Sequence, residues 1–120
     1  MVDYKTDLVY QALEEILQNA GMKIIYEEVP DDRIDGAIWA RSDYDKIMMP
    51  KAPEAFPDPE TACCILGHEA GHILSGIDSP DIPSLRRKNE AVCDLIGCYL
   101  YELALRTAEK KQKDIWVNQQ

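Results

Sequence analysis

The chain has 120 residues and a formal net charge of −9, so it holds one small domain at most. Apolar residues make up 46% and charged residues 29%, an ordinary mixture for a globular fold. With 22 acidic against 13 basic side chains, phosphate backbones and anionic membranes are excluded as direct partners. No apolar run approaches the ~20 residues of a membrane-spanning helix. The amino terminus lacks the basic-then-apolar layout of a signal peptide, so a cytoplasmic protein is expected. The four cysteines, Cys63, Cys64, Cys93 and Cys98, fit no two-pair zinc spacing and read as reduced, core-filling side chains.

A first helix is expected over Asp3 to Ala20. Val9, Ala12, Leu13, Ile16, Leu17 and Ala20 make one apolar stripe, with Asp3 as N-cap and Gly21 as the stop. Strand formers follow at Lys23–Val29, at Ala37–Ala40 and at Asp45–Met49. The breaks fall at Pro30 with Asp31-Asp32, at Gly36, at Ser42-Asp43 and at Pro50. A proline-rich crossing leads to Asp58-Pro59-Glu60, a cap, a first-turn proline and an acid, which start a helix running to Ser75 and ending at Gly76. A polar loop spans Ile77 to Pro83. Ser84 is the expected cap of a last helix to about Lys110, with Leu95, Tyr99, Leu103 and Arg106 along one side. The expected fold is α+β, a small three-stranded, mostly antiparallel sheet packed on about three helices. One domain covers residues 1–110, and 111–120 form a frayed tail.

His68-Glu69-Ala70-Gly71-His72 gives the pattern H-E-x-x-H inside the second helix. His72 lies about 40° round the helix from His68 and Glu69 about 100°, so all three project into one sector. Two imidazoles one turn apart can share a zinc ion, while the glutamate between them serves as general base. In a chain with only two histidines, chance produces this pattern roughly 0.1% of the time. A catalytic zinc site needs a third protein ligand, and no histidine is left. Glu90, with 17 residues between it and His72, is the leading candidate, and Cys93 is the alternative. Asp94, one turn beyond Glu90, suits a hydrogen bond to the far nitrogen of a zinc-bound histidine. The apolar neighbours Ala91, Val92, Cys93, Leu95 and Ile96 predict that this stretch is largely buried, where an unpartnered carboxylate is costly.

His68-Glu69-x-x-His72 followed by Asn89-Glu90-x-x-Cys93-Asp94 resembles the gluzincin arrangement of thermolysin-type metallopeptidases. The small size and the preceding sheet resemble more closely the ImmA/IrrE family of zinc metallopeptidases, encoded largely by phages and mobile elements. The likeness covers roughly Gly36 to Leu103. It departs from the usual E-x-x-A-N-x-F-A at Cys93, Asp94, Ile96 and Gly97, and in Ala70, where a larger apolar residue is common. The resemblance implies a zincin-like metal helix and a zinc-dependent endopeptidase that cleaves a helix-turn-helix repressor. Glu69 is then the catalytic base, with His68, His72 and Glu90 on the metal. Tyr99, Tyr101, Arg86 and Arg87 are candidate donors to the oxyanion, and Ile47 to Met49 is either a substrate-binding edge strand or an ordinary core strand. The alternative function is a non-catalytic regulatory module that binds a repressor or another partner, with zinc structural or absent.

Overall fold

The computed structural model describes residues 3–30, 35–76 and 82–119, with the backbone alone at 37 and 38. A short 3-10 turn, Tyr4–Thr6, capped by Asp3, precedes helix α1, Leu8–Asn19. The cap of α1 is Asp7, whose carboxylate accepts from the backbone N–H of Val9 and Tyr10. The chain then passes through β1 (Lys23–Glu27), α2 (Gly36–Trp39), β2 (Arg41–Asp43) and β3 (Lys46–Pro50). A second 3-10 turn, Pro53–Ala55, leads to α3 (Pro59–Ser75) and α4 (Pro83–Asn118). The architecture is α+β.

The sheet is mixed rather than mostly antiparallel. Its order is β1-β3-β2, with β1 parallel to β3 and β2 antiparallel to it. Parallel pairing needs a crossover, whose described part holds α2 and β2. Ala37–Ala40 belongs to that crossover as one helical turn, with the Trp39 and Ala40 N–H groups donating to Asp35 and Gly36 carbonyls. Periodicity cannot separate a four-residue apolar run in a helix from one in a strand. The turn expected at Ser42-Asp43 falls two residues later, where Tyr44 takes φ 56° between β2 and β3. Ile47 and Met49 are fully buried on the central strand, so Ile47–Met49 is core and not an edge.

The sheet and α1 bury Tyr4, Tyr10, Leu13, Leu17, Ile47, Met49 and Leu66 together. Tyr4 stands edge-on to both Tyr10 and Phe56, at 5.0 and 4.8 Å between ring centres. Its hydroxyl donates to the Pro50 carbonyl, which ties the amino terminus to the end of β3. α3 follows expectation at both ends: Asp58 accepts from Thr61 N–H, and Gly76 stops it in the left-handed region at φ 64°.

α4 differs more. Its N-cap is Ile82, with no capping side chain, so Ser84 lies inside the first turn. It runs past Lys110 to Asn118, and the stretch expected to fray over 111–120 is helical as far as that residue. Residues 108–113, Ala-Glu-Lys-Lys-Gln-Lys, are strong helix formers, and Glu109 to Lys113 is a favourable i,i+4 spacing. At 1.5 Å per residue its 36 residues span about 54 Å, which sets the 57 Å long axis of the molecule. The break at Asp31-Asp32 and most of the loop over Ile77 to Pro83 lie outside the described residues.

α3 and α4 pack antiparallel at backbone contact. A Cβ on Gly67 would stand 2.9 Å from Cα of Gly97, and one on Gly71 2.9 Å from Cα of Cys93. Only hydrogen fits there. Gly67→Ala should therefore cost about 1–3 kcal/mol in urea unfolding of the metal-free protein, although alanine is the better helix former. Ser84→Ala, which removes no cap, should stay within ~0.5 kcal/mol. Equal effects for the two would contradict the close packing.

Candidate metal centre

The glycine seam decides what faces His68 and His72. Because α4 runs back along α3 at this short distance, Glu90 comes opposite His72, and Asp94 opposite His68. His68 Nε2 is 2.8 Å from Glu90 Oε2, and His72 Nε2 is 3.3 Å from Glu90 Oε1. The two Nε2 atoms are 3.2 Å apart. Ligand atoms ~2.0–2.1 Å from a tetrahedral ion stand ~3.3 Å from one another. The two imidazoles stand at about that spacing, and Glu90 offers one oxygen to each of them, at 3.3 Å from His72 and closer, at 2.8 Å, to His68.

His68 Nδ1 donates to Asp94 Oδ1 at 2.6 Å, the acceptor role following from the ionised carboxylate. With its proton on Nδ1, His68 turns the Nε2 lone pair toward the Glu90 carboxylate and His72 Nε2. Facing lone pairs repel unless a cation, whether a shared proton or a metal ion, stands among them. The donor set, two imidazoles and a carboxylate, is one that suits zinc. The residues present fit the group.

Glu69 has an oxygen within 4.8 Å of the two imidazoles and with them makes a group that could itself hold a metal ion. The Ser42 hydroxyl on β2 stands beside it. Burial pushes the Glu69 carboxyl above the ordinary glutamate range, while His72, His68 and Ser42 pull it down. An open cleft of about 390 Å³ is lined by Cys64, Ile65, His68, Glu69, His72, Glu90 and Asp94. The histidine side chains are 18% exposed, Glu90 43% and Asp94 71%.

The expected burial around Glu90 and Asp94 holds only for Cys93, which is buried, and Ile96, which is half-buried. Leu95 is 70% and Val92 45% exposed, and Ala91 is exposed too. α4 buries only the face carrying Asn89, Cys93, Gly97, Leu100 and Ala104, so the carboxylates sit on its flank beside solvent. Cys93, the alternative ligand, is buried against Gly71 and is not among the residues lining the cleft.

None of the four candidate oxyanion donors lines the cleft. Tyr99 is nine residues from Glu90, half a turn round α4, and is 68% exposed. Tyr101 borders a separate cleft with Asp7, Asp58, Glu60 and Cys63. Arg86 and Arg87 are exposed on the first turns of α4 and are not among the residues lining the cleft. Ser42 is the site residue that the sequence does not announce. It stands in what reads locally as a turn, and only the mixed sheet brings it to Glu69.

Comparison with known protein families, curated proteins and solved structures gives no match for this chain. Among the described residues no helix is long and apolar enough to cross a membrane.

Glu90→Ala should abolish tight zinc binding, measured by competition with a chromophoric chelator. Asp94→Ala should weaken it ~10–100-fold, the effect of losing the partner that orients a ligand. Cys93→Ala should retain it. If Cys93→Ala lost zinc while a folded Glu90→Ala kept it, the ligand set would be wrong.

Proposed function

We propose that this chain is a zinc-dependent endopeptidase acting on a protein substrate, with a helix-turn-helix repressor of a phage or mobile element as that substrate. The observation that carries this reading is the meeting of His68, His72 and Glu90 at 2.8–3.3 Å with Glu69 on the same cleft. The resemblance to ImmA/IrrE metallopeptidases supplies the substrate class. A function argued from site chemistry stands apart from that analogy.

When bound, zinc supplies a Lewis acid that polarises the scissile carbonyl and makes water a better nucleophile near neutral pH. The imidazoles of His68 and His72 and the Glu90 carboxylate hold the ion. Asp94 fixes the tautomer and ring plane of His68. Glu69 draws a proton from the attacking water and passes it to the departing amine. Its partial burial helps, because a raised proton affinity brings a carboxylate closer to the range a base needs at neutral pH. Ser42 orients Glu69 through its hydroxyl. β2, the strand holding Ser42, is an edge strand of the sheet and packs against α3. An extended substrate segment adds along that edge by backbone hydrogen bonds. The −9 charge favours a basic partner such as a DNA-binding domain, so association weakens with added salt.

Glu69→Gln keeps the volume but cannot take a proton. It should retain fold, zinc and partner binding and lose cleavage by at least ~10²-fold. The assay mixes each protein with the repressor encoded beside it and follows fragments by mass spectrometry. Fragments from wild type alone support the peptidase. Equal binding and derepression by both proteins, without fragments, would replace it with the non-catalytic module.

A further inference from the structure

Cys63 and Cys93 are buried, whereas Cys64 and Cys98 are exposed, and none of the four is in a disulfide. The exposed pair has a definite relation to the α3/α4 crossing. Gly67 and Gly97 meet at backbone contact, and the helices run antiparallel through that point. A local two-fold axis through such a contact exchanges the helices and keeps each side chain on its own flank. His68 follows Gly67 by one residue and Asp94 precedes Gly97 by three; their side chains touch at 2.6 Å. Cys98 follows Gly97 by one residue and Cys64 precedes Gly67 by three. The axis therefore carries the His68–Asp94 pair onto Cys98–Cys64. The two thiols face one another across the seam as that imidazole and carboxylate do, on the same flank and one turn away. Cys64 accordingly lines the same cleft as His68 and Asp94.

We propose that Cys64 and Cys98 form a dithiol site that closes to an intramolecular disulfide by exchange with a low-molecular-weight disulfide such as oxidised glutathione. One protein thiolate attacks the glutathione disulfide, forming a mixed disulfide and expelling one glutathione thiolate. The second protein thiolate attacks the protein-side sulfur and expels the other. The chain gives up two protons and two electrons, and one oxidised glutathione becomes two reduced ones. Disulfide closure asks for Cα atoms 4.4–6.8 Å apart, a separation that backbone contact at the adjacent glycines brings within reach.

The surroundings set the rate. Burial, the neighbouring Cys98 and the carboxylates of Glu60, Asp58 and Asp94 raise the Cys64 thiol above its ordinary range. Little thiolate forms at neutral pH, so exchange is slow there and quickens as pH rises. Cys63, buried and pushed up to about 12, is no competitor. Once closed, the bond straps together the two helices that carry the metal-centre residues. The site is independent of whether a metal is bound or a peptide is cut.

The test incubates metal-free, full-length protein with oxidised glutathione at mildly alkaline pH, quenches with an alkylating agent and measures intact mass and peptide maps. The expected product is a monomer lighter by two hydrogens, with Cys64 joined to Cys98. Cys98→Ser should instead stop as a single glutathione adduct on Cys64. Wild type carrying glutathione on both residues would overturn the proposal. So would disulfide-linked dimers, a bond to Cys63 or Cys93, or unreacted thiols under conditions that exchange free cysteine.

Discussion

Everything at the candidate centre depends on one contact, the meeting of the α3 and α4 backbones at Gly67 with Gly97 and Gly71 with Cys93. Helices bearing ordinary side chains stand 8–10 Å apart. At that distance the carboxylate of Glu90 would not reach both imidazoles at once. Removing the Cβ atoms from the seam lets the helices settle until the flanking side chains touch. The histidines then find their partners on α4 rather than in solvent. Gly71 belongs to the motif itself: in His68-Glu69-Ala70-Gly71-His72 the polar residues carry the chemistry, and the two small residues between them admit the neighbouring helix.

The sheet completes what the helices begin. Ile47 and Met49 of β3 are buried because the strand is central and paired on both sides, and they share one core with Ala62, Leu66 and Ala70 of α3. β2 is short, three residues, and serves to deliver Ser42 to Glu69. Arg41 on the same strand pairs with Glu27 at 2.8 Å, across β3 from its own strand. That exposed ion pair adds little stability. Its geometry agrees with the register in which Arg41 stands opposite Met48 and Glu27 opposite Pro50.

Much of this was legible in the sequence, and the pattern of success is physical. Local chemistry reads directly: Asp58-Pro59 starts α3 and Gly76 ends it, because caps and left-handed stops are properties of a few adjacent residues. The facing of Glu90 and Asp94 toward the two histidines also agrees with helical spacing, which places both on one side of α4, although the sequence left Cys93 open beside Glu90. Properties that depend on distant partners do not read this way. The parallel pairing of β1 with β3 depends on where a crossover lands. Ala37–Ala40 is too short for its period to be read. Ser42 gains its role only from a neighbour 27 positions away. The apolar residues of α4 misled in a different way: Val92, Leu95 and Tyr99 look like core, yet α4 is already fully engaged through its smallest side chains.

That last point explains how one helix serves three purposes without conflict. Each residue of α4 turns about 100° from the one before. Cys93, Gly97 and Ala104 therefore fall on the face that meets α3 and α1, where small volume is required. Glu90, Asp94 and Cys98 fall on the adjoining flank, close enough to α3 for polar and sulfur chemistry yet open to solvent. Val92, Leu95 and Tyr99 fall on the remaining side, which no described element covers. A larger residue at Gly97 would move the whole flank outward, and the carboxylates would lose both imidazoles together. The position of the chemistry is thus set by the absence of side chains one residue away from it.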